Sequence, residues 1–171
     1  IIRAGERKTV QVPLKRMTPE EDRIPAYVLD RAPDFVMRGG LVFQDLNFAY
    51  LGGMGDWRRR AAMRLVVSAE LDAAQPSPTQ PRLVVLTHVL PDVVNLGYQD
   101  ARELVVERVN GQAVGSVADV RRLLDGAAPD GHFHVIEYLS GQASRRMVLD
   151  AEEMKTAMPR IKERYSVGDA G

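Results

Sequence analysis

Val106-Glu107-Arg108-Val109-Asn110-Gly111-Gln112-Ala113-Val114, followed by Ser116-Val117-Ala118-Asp119-Val120 and Leu123-Leu124, decides the fold. Residues 103–109 read as a strand that ends in Asn-Gly, a pair that accepts the left-handed backbone of a tight turn. A short strand follows. Ser116 then stands as the N-cap of a helix in which Val117, Val120, Leu123 and Leu124 share one face, and Gly126 stops that helix.

Outward from this stretch the alternation recurs. Residues 82–89 read as a strand, and 132–139 with 145–149 as a hairpin across Ser140-Gly141. Residues 150–165 read as a charged helix with Met154, Met158 and Ile161 inward, kinked or split at Pro159. Upstream, residues 35–48 alternate around Gly39-Gly40, and a strand is expected from Leu41 to about Leu46. Asp56 looks like the cap of a helix from Trp57 to about Leu71, with Trp57, Ala61, Met63, Val66 and Val67 as its apolar set. Prolines at 76, 78 and 81 make residues 73–81 a loop. Residues 15–34, punctuated by Pro19, Pro25 and Pro33, read as a linker or lid with room for a short helix after Thr18. Residues 1–14 read as a hairpin, turning at 4–7, with Thr9 to Leu14 as its second strand.

Composition narrows the chemistry. The chain has 171 residues, 23 Lys+Arg against 23 Asp+Glu, three His and no Cys. A balanced charge argues against holding nucleic acid by phosphate neutralisation. Without Cys there is no disulfide, thiol nucleophile or Cys-ligated metal, and no cofactor is expected. No apolar run is long enough for a membrane span. The compartment is not legible, although a Cys-free chain would suit a bacterial periplasm or cell envelope. None of the six serines lies in Gly-x-Ser-x-Gly or Gly-x-Ser-Gly-Gly, the settings that expose a nucleophile. His88 and Asp92 read as structural. His132 and His134 alternate as zinc pairs sometimes do, but with no third ligand nearby they read as strand-surface residues.

The Asn110-Gly111 turn and the helix after Ser116 resemble the PDZ signature. Val85-Leu86-Thr87-His88-Val89-Leu90-Pro91-Asp92, with Asn95-Leu96-Gly97-Tyr98, resembles the second PDZ domain of the Deg/HtrA (protease Do-like) serine proteases, in the branch with organellar and nuclear members. Gly40-Leu41-Val42-Phe43-Gln44-Asp45-Leu46 resembles the same branch. The resemblance spans roughly residues 33–167. It implies an α+β fold, a PDZ-like small β-sandwich or barrel of five to six strands flanked by two to three helices. Residues 1–14 would then be the closing hairpin of a preceding PDZ domain, 15–34 a linker, 35–167 the PDZ-like domain with a helical insertion around 56–82, and 168–171 a tail. A serine protease domain is implied upstream, and with it the catalytic residues.

The resemblance also implies a peptide site. A PDZ domain holds a terminal carboxylate in the backbone N–H groups of a glycine loop, and the peptide adds as a strand to the adjoining edge. Gly40-Leu41-Val42-Phe43 matches that loop, with Val42 in place of its second glycine and Gly39 one place earlier. Leu41 and Phe43 would line the pocket, with Val117, Val120 and Leu124 as the helix wall and Arg121 at the rim. The alternative stays open that Gly39-Gly40 is only a turn and the apolar residues are core, since groove and core share one pattern. Arg38 reads as a carboxylate contact or a solvated turn residue, Arg58-Arg59-Arg60 as a solvated surface, and Trp57 as core. Two functions are implied: a non-catalytic module binding peptides or unfolded segments, or an assembly domain with a closed groove that packs on other subunits or domains of the parent protease.

Overall fold

The structure, a computed structural model, describes residues 2–7, 9–11, 22–26, 33–73 and 80–168. Its main sheet is antiparallel, in the order β3 (Phe35–Arg38), β4 (Leu41–Asp45), β5 (Val84–Val89), β6 (Leu104–Val109), β8 (Phe133–Tyr138) and β9 (Arg146–Asp150). The short β7 (Gln112–Ala113) pairs with β6. Asn110 and Gly111, at φ 53° and 75°, turn β6 into β7. Both central residues of such a turn need positive φ, and Asn-Gly supplies them at least cost.

Helix α4 (Val117–Asp125) starts where Ser116 and Asp45 supply acceptors. Ser116 Oγ accepts from Asp119 N at 3.3 Å, and Asp45 Oδ1 accepts from Val117 N at 2.7 Å. Val117, Val120, Leu123 and Leu124 are all buried against the sheet, together with Leu41, Phe43, Leu86 and Ile136. Helix α5 (Ala151–Tyr165) begins under an Asp150 cap and runs on through Pro159 as one helix. It buries Ala157 and Ile161 against Met37 of β3.

On the opposite face a second cluster gathers Leu46, Val85 and Val105 with the helical insertion. The helix expected over residues 57–71 is instead α2 (Trp57–Arg60), α3 (Met63–Val67) and a π-helical turn (Ser68–Asp72). Ala61 and Ala62 between them have ψ near 158° and 138°, so the chain is extended there. That break resets the periodicity. Leu65 and Ala69 go inward, while Met63 is 75% exposed. Helix α1 (Phe48–Gly53) precedes them, despite its two glycines, because Asn47 Oδ1 accepts from Tyr50 N at 2.8 Å and Leu51 is fully buried. Trp57 is buried, with the Arg58 guanidinium 4.4 Å above its ring.

Three other expectations change. Ile24, in the segment read as a linker, is 1% exposed and belongs to the second cluster. The N-terminal hairpin pairs β1 (Ile2–Arg3) with β2 (Glu6–Arg7), so its turn is the Ala4-Gly5 pair and residues 9–11 are not strand. His134 is buried beside Asn110, not on the strand surface. The remainder of the second strand expected over 9–14, the short helix after Thr18 and most of the proline loop (74–79) lie outside the described residues.

Candidate functional site

Strand β4 and helix α4 form the two walls of the expected groove. Between them lies β3. It pairs antiparallel with β4 in the register Phe35–Gln44, Val36–Phe43, Met37–Val42 and Arg38–Leu41. It also packs against α4: Val36 is fully buried in the cluster that holds Val120 and Leu124. The edge of β4 on which an added strand would dock therefore already carries a strand.

Gly39 and Gly40 close this hairpin as a two-residue turn at φ 56° and 81°. Glycine is needed at 40 for a second reason. A Cβ there would stand 2.5 Å from the Leu90 carbonyl oxygen and 2.6 Å from Asn95 Nδ2. Asn95 is itself fully buried and donates to the carbonyls of Gly39 and Leu90, each at 2.9 Å.

Two arginines clamp β3 to α4. At one end Arg38 forks onto Asp125, Nε to Oδ1 at 2.5 Å and Nη2 to Oδ2 at 2.9 Å. This hydrogen-bonded pairing holds the Asp125 carboxyl below the usual carboxylate range. At the other end Arg121 Nη2 donates to Asp34 Oδ1 and to the Phe35 carbonyl, both at 3.2 Å. At the start of α4, burial raises the Asp45 pKa, although the Val117 amide it accepts from opposes the shift. Among the described residues no group of three His, Asp or Glu could hold a metal ion, and no helix is long and apolar enough to cross a membrane.

A family model described as PDZ domain matches residues 24–170. The chain belongs to the PDZ family. It is 26% identical, over 99% of its length, to the mitochondrial protein called protease Do-like 12 of Arabidopsis thaliana. It is 30% identical, over 73% of its length, to chloroplastic protease Do-like 2 of the same plant. It spans 28% and 19% of those relatives. It is thus similar to the PDZ region of the Do-like, or Deg/HtrA, proteases, and its sheet with flanking helices is the α+β architecture of that region.

Five of the nine residues of the expected site, Leu41, Phe43, Val117, Val120 and Leu124, share one buried cluster with Val36 of β3, whereas Val42 packs with Met37 and Ile161 in the cluster under α5. Gly39 and Gly40 form the hairpin turn. Leu41, Phe43, Val117, Val120 and Leu124 are buried, while Val42 and Arg121 are half-buried. Arg38 matches neither expectation: it pairs with the chain's own Asp125, and is neither a contact to a peptide carboxylate nor a solvated turn residue. Sequence reasoning missed β3, Asp125, Asp34 and Asn95. A signal for β3 existed: Phe35-Val36-Met37-Arg38 and Leu41-Val42-Phe43-Gln44 flank a bare Gly-Gly, the pattern of a two-residue hairpin.

Proposed function

We propose that this chain is a non-catalytic PDZ module of a Do-like serine protease whose peptide groove is closed by its own β3. It serves assembly and contact with other domains or subunits of the parent protein rather than reception of peptide ends. One observation carries the reading. Strand β3 runs antiparallel to β4 and enters the glycine turn with its C-terminal end, the direction a bound peptide end would take. The chain then continues through Gly39-Gly40 where a ligand would stop. The β4 edge is used, and Val36 fills the space beside α4 that a ligand side chain would need.

The open-groove reading, in which the module binds peptide segments and so regulates proteolysis, has one observation in its favour. The acidic partners in the two clamps are 48% and 61% exposed at the side chain, and exposed ion pairs contribute only about 0–1 kcal/mol. The test is to titrate the 171-residue chain with a library of peptides bearing free C-termini, while following amide exchange at residues 36–38. The closed groove predicts no binding at the β4 edge and protected amides. A peptide that binds while speeding exchange at 36–38 overturns it in favour of the open groove.

A further inference from the structure

The main sheet ends at β9, and among the described residues no strand pairs with its outer side. Its hydrogen-bond phase is set by β8. Tyr138 N donates to the Arg145 carbonyl at 3.0 Å and Ala151 N to the His132 carbonyl at 2.8 Å, so the odd-numbered residues of β9 bond to β8. The amides and carbonyls of Arg146, Val148 and Asp150 therefore point away from the sheet. Val148 N donates to the Tyr98 hydroxyl at 3.3 Å. The side chains of the same three residues share a face with Phe133, Val135 and Glu137 of β8. Val148 and Phe133 are exposed there, since the helical insertion packs over Val85 and Val105 instead. Sheet edges are commonly guarded by charges of one sign, lysine above all. Those along β9 differ in sign. Arg145 and Arg146 are exposed at its start, Glu152 and Glu153 just past its end, and no ion pair engages any of the four among the described residues. Asp150 caps α5 through Oδ1, which leaves Oδ2 without a hydrogen bond among those residues.

We infer, resting on the assembly role proposed for the closed groove, that β9 pairs antiparallel with β9 of a second copy about a two-fold axis at Val148. In that register each residue faces the one equally far from Val148 on the other strand. The three outward residues of each copy then meet, and every outward amide finds a carbonyl. Arg146 lies opposite Asp150 of the second copy, twice over, and Arg145 lies beside that copy's Glu152. Across the joined sheet, Glu137, Arg146 and the second copy's Asp150 alternate in sign. The next row sets Val135 and Val148 against their own images. Other alignments lose this match. Parallel strands set Arg146 against Arg146, and an antiparallel slip by two residues sets Val148 against a charge. The contact is isologous, so it consumes β9 and closes at two copies. In the single copy the Tyr98 hydroxyl stands in for the second copy's carbonyl.

The test follows the 171-residue chain by sedimentation velocity at concentrations up to about 1 mM, since so short an edge makes a small interface. Amide exchange is read by NMR in parallel. A concentration-dependent dimer is expected, with exchange at 146, 148 and 150 slowed in it. Val148→Pro removes only an outward N–H, so pairing with β8 should persist while the dimer is lost. Arg146→Glu puts like charges opposite one another twice and should weaken the dimer about tenfold, while Arg146→Lys should keep most of it. Tyr98→Phe releases the Val148 amide and should tighten the dimer. A chain that stays monomeric, or a dimer indifferent to both Val148→Pro and Arg146→Glu, overturns this proposal. Protected amides at 36–38 would then leave the closed groove standing. A dimer in which exchange at 36–38 quickens, because β3 has left its groove, overturns both.

Discussion

Asn95 reaches from the turn after β5 to the hairpin turn, where its Nδ2 donates to the Gly39 carbonyl at 2.9 Å. The same nitrogen donates to the Leu90 carbonyl at 2.9 Å, and its Oδ1 accepts from Asp92 N at 3.0 Å. One buried amide thus ties three backbone groups together and fixes the glycine turn against the strand behind it. Asn95→Ala leaves those groups enclosed and unpaired. The expected loss is about 2–3 kcal/mol in urea unfolding, since each unsatisfied buried group costs on the order of 1–3 kcal/mol and some are rescued by water. Asn95→Asp should be worse, because it sets a carboxylate oxygen against two carbonyl oxygens. Amide exchange at residues 39–41 should quicken in both.

The two turn glycines should not be equivalent. At Gly40 a methyl group would meet the Leu90 carbonyl oxygen at 2.5 Å and Asn95 Nδ2 at 2.6 Å, both of which are held in place. At Gly39 it would meet Met154 Cγ at 2.8 Å, part of a flexible side chain. Both positions also carry the left-handed penalty of about 1–2 kcal/mol. Gly40→Ala should therefore destabilise the chain clearly more than Gly39→Ala, as read by the shift in urea midpoint at constant slope.

Legibility in the sequence followed how local the determining forces are. The Asn110-Gly111 turn, the Ser116 cap and the apolar face of α4 depend on residues within a few positions of one another, and all were readable. So was the hairpin of β8 and β9. The helical insertion was not, because nothing near Ala61 and Ala62 marks a break. The break follows from long-range contacts such as Glu103 Oε2 accepting from Ala62 N at 2.5 Å. Ile24 looked like linker because its partners Leu46, Leu65 and Val85 are far along the chain. The candidate site was half legible. Its wall residues could be named, but whether β3 or a guest strand occupies the edge depends on pairing and on the Arg38–Asp125 and Arg121–Asp34 contacts. Each of these spans 87 positions.

Acid should expose a different contact. Asp92 is 7% exposed, accepts from Val94 N, and receives Arg160 at 2.9 Å and 2.5 Å. The Arg160 hydrogen bonds lower its pKa to about 2. The folded carboxyl is thus more acidic than in the unfolded chain, where the value is about 3.9. Its contribution is complete above the unfolded value and disappears as pH falls through the folded one. Asp92→Asn should lower the urea midpoint at pH of about 6. The gap to wild type should close between pH of about 4 and 2. A gap that stayed constant over that range would show that the ion pair contributes nothing.

His134 adds a second window, nearer neutral pH, with the same sign. It is 1% exposed and its Nδ1 lies 2.9 Å from Asn110 Nδ2. Asn110 also donates to the Leu123 carbonyl near the end of α4 at 3.2 Å and accepts from Val135 N at 3.0 Å. Nδ1 must be the acceptor for the amide nitrogen to donate to it, which leaves the proton on Nε2, a buried atom with no hydrogen-bond partner among the described residues. Burial lowers the His134 pKa, the Lys155 charge lowers it further, and Asp125 and Asp130 oppose the shift. The unfolded chain, with its histidine near pH 6.5, then binds the proton more tightly than the folded one. Stability must rise with pH between the two values and fall as the solution is acidified below about 6.5. Protonation would also set an N–H on Nδ1 against the amide donor and loosen the link to α4. Wild type should lose urea resistance between pH of about 7.5 and 5.5. His134→Gln, which cannot titrate, should start less stable but change little over that window. An equal pH slope in the two proteins would place the proton-sensitive group elsewhere.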